Sequence, residues 1–288
     1  MNFLGLGPEF AGFETAAYCI CQIPYERTTT YKQGTRRAPR AVIEASDHLE
    51  YYDEELDSEP YRAGIFTMPR MDFPPDLSEG QCLDLIFRNV RSVIVRGKFV
   101  ISLGGEHSIT YPLVRAHAEQ YPGLTVLHLD AHADLREVYY KSRFNHACVM
   151  ARVREIAPVV SVGVRAVSRK EMDRIRAENL PVWFVHQMRE SPNWAAAVLE
   201  QLRNPVYLTI DVDFFDPAVI PATGAPEPGG FFWHETLQFL RLLFAQREVV
   251  GVDVVELLPT PGLHASEFSI AKLVYKIMGY RETARNAG

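Results

Sequence analysis

Four short polar clusters in this sequence carry residue types that bind metals or move protons. They are Gly104-Gly105-Glu106-His107, Asp130-Ala131-His132-Ala133-Asp134, Asp211-Val212-Asp213 and, after Val254-Val255, the single acid Glu256. In extended backbone alternate side chains point the same way, so Asp130, His132 and Asp134 are expected to converge, as are Asp211 and Asp213. Convergence needs a counter-charge, because two carboxylates ~4 Å apart repel by ~4 kcal/mol at an effective dielectric of about 20. Two divalent ions would balance the four aspartates, with His107 and His132 completing six protein ligands. Carboxylates with a minority of imidazole and no thiolate suit Mn²⁺ better than structural zinc, so the expected cofactor is two Mn²⁺. A binuclear pair that bridges a water lowers its pKa and presents hydroxide near neutral pH, which is hydrolytic chemistry.

Each cluster alone has a plainer reading. The DxHxD segment can be a solvated strand end, His107 a helix N-terminal residue, and Asp211 a turn cap before Asp216-Pro217. What favours a metal site is ligand number and convergence taken together. His128, between Leu127 and Leu129, reads as a core histidine or one that supports a ligand from behind.

The elements that must position these groups are legible as short apolar runs, each followed by a segment of helical spacing. The strand candidates are 16–23, 99–103, 125–129, 159–164, 182–185, 206–210 and 249–255, and the helical ones 39–51, 78–95, 109–120, 169–179, 194–202, 234–246 and 266–280. In the 234–246 segment Leu237, Leu240, Arg241 and Phe244 mark a mostly apolar stripe. Strands that are apolar throughout, alternating with helices, predict a three-layer α/β/α fold around a mostly parallel sheet. In such sheets ligands bind beyond the carboxyl ends of the strands, where all four polar clusters fall.

Composition narrows the partners. The formal charge of -6 and pI near 5.9 lack the basic footprint of a nucleic-acid binder. The longest charge-free stretch, Thr15 to Tyr25, is 11 residues, too short to span a membrane, and no basic residue before Arg27 suggests a secretory signal. Cys19, Cys21, Cys82 and Cys148 show no CxxC spacing and read as reduced thiols, pointing to the cytoplasm. Without linker or repeat, residues 1–288 are expected to form a single domain.

At these motifs the sequence resembles the ureohydrolase family of arginases, agmatinases and their relatives. The matching segments are Gly104 to Ser108, Asp130 to Asp134, Asp211 to Asp213 with Asp216-Pro217, Pro221 to Gly224, Val254 to Glu256 and the upstream stretch Gly34 to Arg40. The resemblance implies an arginase-like fold, a binuclear Mn²⁺ centre and hydrolysis of a small-molecule guanidine to urea and an amine. It implies that His107 and Asp134 complete one metal, His132 and Asp213 the other, and that Asp130 and Asp211 bridge. His146 matches the family's proton shuttle or general acid, and Glu256 the carboxylate that grips the guanidinium; each has a structural alternative, a helix start or a strand-end acid. Asp134 would take the hydroxide proton and hand it to the leaving amine. The resemblance also implies a homo-oligomer, trimer or hexamer.

The segment Pro226 to Gly230 resembles agmatinases more than arginases, and the loop after Asp134 disfavours arginine. Leu135 to Arg143 lacks the Ser/Thr/Asn/Gly-rich pattern with which arginases hold an α-carboxylate, Ser168 stands where they carry an acid for the α-ammonium, and Pro226 to Gly230 contains Glu227. Agmatine, giving putrescine, is therefore the leading expectation, with Glu137, Tyr139 and Tyr140 facing its distal amine. Aminopropylagmatine is a close rival, guanidinobutyrate is kept open by Arg136, Lys141 and Arg143, and arginine is disfavoured. A phosphatase would be poorly served by Glu256, and a non-catalytic homologue is opposed by the complete residue set. Ala225, where Thr is usual, and Glu106, where Asp is common, are departures that remove no ligand.

Overall fold

The strands form where apolar, β-branched residues run uninterrupted, and every residue of most of them is buried. In this computed structural model, which describes residues 1–287, they are β1 (Tyr18–Ile23), β2 (Ile65–Thr67), β3 (Phe99–Gly104), β4 (Thr125–Leu129), β5 (Val159–Val164), β6 (Val182–Phe184), β7 (Val206–Asp211) and β8 (Val249–Val255). They make one eight-stranded sheet in the order β2-β1-β3-β8-β7-β4-β5-β6. All its pairings are parallel. The final residue of the domain expected over 1–288 lies outside the described residues.

Period-2 alternation divides the core between two faces. Tyr18 and Ile20 of β1 face one apolar cluster, while Cys19, Cys21 and Ile23 face the other. The first face is covered by α1 (Pro8–Ala11), α2 (Ala38–Ser46), α7 (Val185–Glu190), α8 (Trp194–Gln201), α9 (Trp233–Gln246) and α10 (Ala265–Ala287). The second is covered by α3 (Glu79–Ile94), α4 (Thr110–Gln120), α5 (Val149–Val153) and α6 (Arg169–Ala177). Ser78 and Ser168 start α3 and α6 with capping boxes closed by Gln81 and Glu171.

The expected elements all occur, with local corrections. Strand 182–185 ends at Phe184 because Val185 already opens α7. Helix 39–51 stops at Ser46, and the following loop is tied down by buried Asp53, which accepts from the Glu55 and Leu56 amides. Helix 266–280 continues to Ala287, since the polar residues after Tyr280 extend it. The short elements β2, α1, α5 and α7 are too brief for periodicity to reveal.

The consequence for function lies in strand order. β3, β8, β7 and β4 are neighbours at the centre of the sheet, so the four polar clusters, up to 149 residues apart in the chain, open on one edge.

Candidate metal centre

β3 leads through Gly104 into Gly105, where the backbone passes so close to Tyr25 that a Cβ would lie 2.1 Å from its carbonyl oxygen. Two residues on, His107 is fixed from behind. Its Nε2 lies 3.0 Å from Thr209 Oγ1, and that hydroxyl donates to Asp253 at 2.6 Å. Having spent its hydrogen on the acid, Thr209 accepts from Nε2–H, so in the neutral ring that binds a metal Nδ1 is bare. That bare nitrogen is buried, has no hydrogen-bond donor, and sits 3.1 Å from Asp130, 3.3 Å from Asp134 and 3.3 Å from Asp211. A lone pair aimed at three carboxylates is the donor set of a cation site, so these residues fit a metal ion.

Asp130 joins this group to a second one. One of its oxygens faces His107 and accepts from His128 Nε2 at 2.8 Å, while the other lies 3.4 Å from His132 Nδ1. His132 Nδ1 is also 2.9 Å from Asp213. Asp211 and Asp213 are held by the Asp213 and Ala131 amides respectively. His128 uses its other nitrogen on Ser161 at 3.0 Å, so it braces Asp130 from below, as expected for a supporting histidine. The six residues expected as ligands thus form two sets that share Asp130. Extended-strand alternation is not the cause: β4 ends at Leu129, and Asp134 turns back at a left-handed φ of 51°.

The electrostatics are those of crowded acids. Burial, then Asp213 and Asp130, push the Asp211 carboxyl well above its ordinary range; burial and Asp130 raise Asp213, against the pull of His132. Burial opposes ionisation of Asp130 too, yet His128 and His107 outweigh it and hold that carboxyl well below the usual range. For His107 and His132 burial is likewise outweighed, by the surrounding aspartates, and both imidazoles are driven up. Glu256, at the end of β8, is pushed up to about 8 by burial and by Glu106 beside it. One of its oxygens accepts the His107 amide at 2.7 Å, and its backbone is left-handed at φ 63°, a costly conformation for a side chain of that length.

Above the cluster opens a cavity of about 360 Å³ with Glu256, Asp134 and His132 at its base and His146 and Tyr139 on its walls. Glu137 does not line it. Its carboxylate instead pairs with the buried Arg152 at 2.5 Å and with Arg174, because a guanidinium that is 2 % exposed needs a counter-charge. Tyr140 is 73 % exposed outside the cavity. Arg136 lies over the Tyr139 ring, 4.4 Å from its centre, and Lys141 and Arg143 do not reach the cavity.

Three contributors escaped the sequence reading. The loop Thr29 to Lys32 forms one cavity wall, and Glu171 lines another while capping α6. Asp253 sits at the heart of the bracing network, accepting also from Tyr207 at 2.7 Å and Thr110 at 3.2 Å. A lone acid inside an apolar central strand is a signal that could have revealed Asp253. Nothing local marks the loop.

Known proteins place this geometry. The model of the family described as "Arginase family" matches residues 16–279. A protein of Synechocystis sp. named N(1)-aminopropylagmatine ureohydrolase is 44% identical over 276 residues, 93% of this chain and 90% of its own length. The agmatinase of Pyrococcus horikoshii is 33% identical over 92% of each chain. The crystal structure of agmatine ureohydrolase from Thermoplasma volcanium superposes with a TM-score of 0.89 at 28% identity, covering 100% of this chain and 96% of that one. With its buried His/Asp cluster, the chain belongs to the arginase family of binuclear metal enzymes, on its agmatinase side, and is a hydrolase of guanidino C–N bonds.

Proposed function

We propose that the protein releases urea from an extended polyamine-type guanidine, N(1)-aminopropylagmatine, leaving the corresponding triamine. The observation that carries the substrate choice is the 44% identity across 93% of the chain to a relative of that name, joined by a Thermus thermophilus relative of the same name at 34% identity and 96% coverage. The cavity supports it: Glu227 on its wall has no side-chain partner among the described residues and is available to a secondary or terminal ammonium. Agmatine is the second reading, supported by the Pyrococcus horikoshii relative.

In this reading His107, Asp130, Asp134 and Asp211 would hold one metal and Asp130, His132 and Asp213 the other, the family resemblance adding Asp211 to the second; carboxylate and imidazole donors without thiolate favour two Mn²⁺. When bound, the pair supplies the positive charge that makes water a nucleophile near neutral pH. The chain's own groups do the rest. Glu256 keeps one oxygen on the His107 amide and offers the other to the guanidinium, aiming its carbon toward the cluster. Asp134 takes a proton from the attacking water and returns it to the leaving amine, and His146 exchanges protons with solvent. The proposal includes one domain over 1–288, supported by a continuous sheet, a homo-oligomer serving polyamine formation, supported by the family resemblance, and a cytoplasmic location, supported by four free, buried cysteines. Among the described residues no helix is long and apolar enough to cross a membrane.

The test is urea release by Mn²⁺-loaded protein from aminopropylagmatine, agmatine, guanidinobutyrate and arginine. The expected order of kcat/KM puts aminopropylagmatine first, agmatine next and arginine at least about a hundredfold lower, since Ser168 stands where arginases carry an acid for the α-ammonium and the 135–143 loop lacks their carboxylate-holding pattern. No urea from any guanidine, with two metals bound, would sink the reading.

A further inference from the structure

The side chain of Glu106 is fully buried and takes no part in either ligand set, yet it collects four donors: the Arg27 amide at 2.6 Å, the Thr28 amide at 2.6 Å, the Thr28 hydroxyl at 2.7 Å and the Ser108 hydroxyl at 2.5 Å. It therefore ties the loop after β1 to the loop after β3. Thr28 carries the tie onward, for its Oγ1 accepts the His146 amide at 3.0 Å and lies 3.2 Å from His146 Nδ1. Asn145 adds a longer contact, donating to the Thr28 carbonyl at 3.5 Å.

Counting protons decides what this does. A threonine hydroxyl has one hydrogen and two lone pairs. The hydrogen goes to the shorter bond and the charged acceptor, Glu106. Both lone pairs are then acceptors, one for the His146 amide and one for the ring. Nδ1 must carry the ring hydrogen, and Nε2 is left as a free lone pair on a histidine that lines the cavity. We propose that Thr28, anchored by Glu106, is a positioning residue that fixes His146 in the tautomer with hydrogen on Nδ1 and keeps Nε2 ready to accept a proton on the cavity side. The functional part rests on the reading of His146 as the group that exchanges protons.

The test compares Thr28→Val, which keeps shape but cannot accept from the ring, with Thr28→Ser, which can. The first readout is the ¹⁵N signature of the His146 ring in solid-state spectra of the full-length metal-free protein, assigned by its loss in His146→Asn. The wild type and Thr28→Ser should show an N–H at Nδ1 and a bare nitrogen at Nε2; Thr28→Val should show a mixture. The second is steady-state urea release by Mn²⁺-loaded protein: Thr28→Val should lose at least about tenfold in kcat with KM within about twofold, and Thr28→Ser should stay within about twofold of wild type. An unchanged nitrogen signature in Thr28→Val overturns the proposal. So does a loss expressed in KM or shared equally by Thr28→Ser, which would mean that Thr28 only packs the loop whose next residues wall the cavity. Should Thr28→Val fail to fold, Thr28→Ala carries the same readouts. Undiminished turnover in His146→Asn would instead remove the role of the histidine itself, and the nitrogen signature separates that failure from failure of the Thr28 contact.

Discussion

Glu256 shows how one side chain serves two demands. In its proposed role it must be ionised to hold a guanidinium, yet burial and Glu106 favour its neutral form up to about pH 8. In the metal-free protein the folded state therefore keeps a proton that the unfolded chain releases near pH ~4.3. Folding stability from this group is fully present below that value and is lost as pH rises toward 8. The raised Asp211, Asp213, His107 and His132 act in the same direction, and depressed Asp130 acts only in acid. The melting temperature of metal-free protein should thus fall from pH 5 to pH 9 relative to Mn²⁺-loaded protein, so that the gap measured by scanning fluorimetry widens with pH. A constant gap would contradict it. Asp211→Ala should lose metal and more than about a hundredfold in kcat together, as read by elemental analysis and urea release; full metal content would remove Asp211 from the ligand set. At this scale the sequence showed the groups that meet at the cluster and the two acids with unusual backbone. It placed Glu137 at the substrate because it could not show that Arg152 would be buried within reach of it.

Elements do what the residues cannot. Long strands and helices were legible because burial on both sides of a parallel sheet demands unbroken apolar runs, and because α3, α4 and α9 repeat their stripes over three or more turns. The insertion of β8 and β7 between β3 and β4 was not, since strand order is decided by packing of distant segments rather than by local pattern. The loop Arg27 to Lys32 escaped for the same reason: only tertiary contact with Glu106 gives it a role. The turn after β3 is the most constrained joint. In Gly105→Ala the new Cβ would meet a backbone carbonyl that has no freedom to swing away. We expect a loss of about 1–3 kcal/mol in chemical denaturation, with weaker metal binding because His107 is displaced. A variant of wild-type stability and metal affinity would show that the β3 turn tolerates a shift.

Across the molecule, the acidic balance of 36 acids to 30 bases is partly a matter of where the acids sit. Four crowd the metal cluster, and others form a second charged knot far from it, where buried Lys276 of α10 meets Asp53 at 2.8 Å and Glu55 at 3.0 Å. Lys276→Met should destabilise the fold by about 3–5 kcal/mol, because Asp53 would be left buried without its cation. The metal cluster should be spared, so that kcat of the folded fraction is unchanged; a denaturation midpoint equal to wild type would show that water reaches Asp53. The interleaved strand order has a further consequence for the order of events during synthesis. β3 and β4 leave the ribosome before β7 and β8, followed by His107, Asp130, His132 and Asp134, but in the finished sheet they are separated by those two strands, which do not yet exist. Until residues up to Val255 have emerged, those early strands must be kept from pairing with each other, and no complete cation cage is available. The full ligand set is therefore assembled only late in synthesis, and a nascent chain stalled before β7 would hold four of its six members and no enzyme.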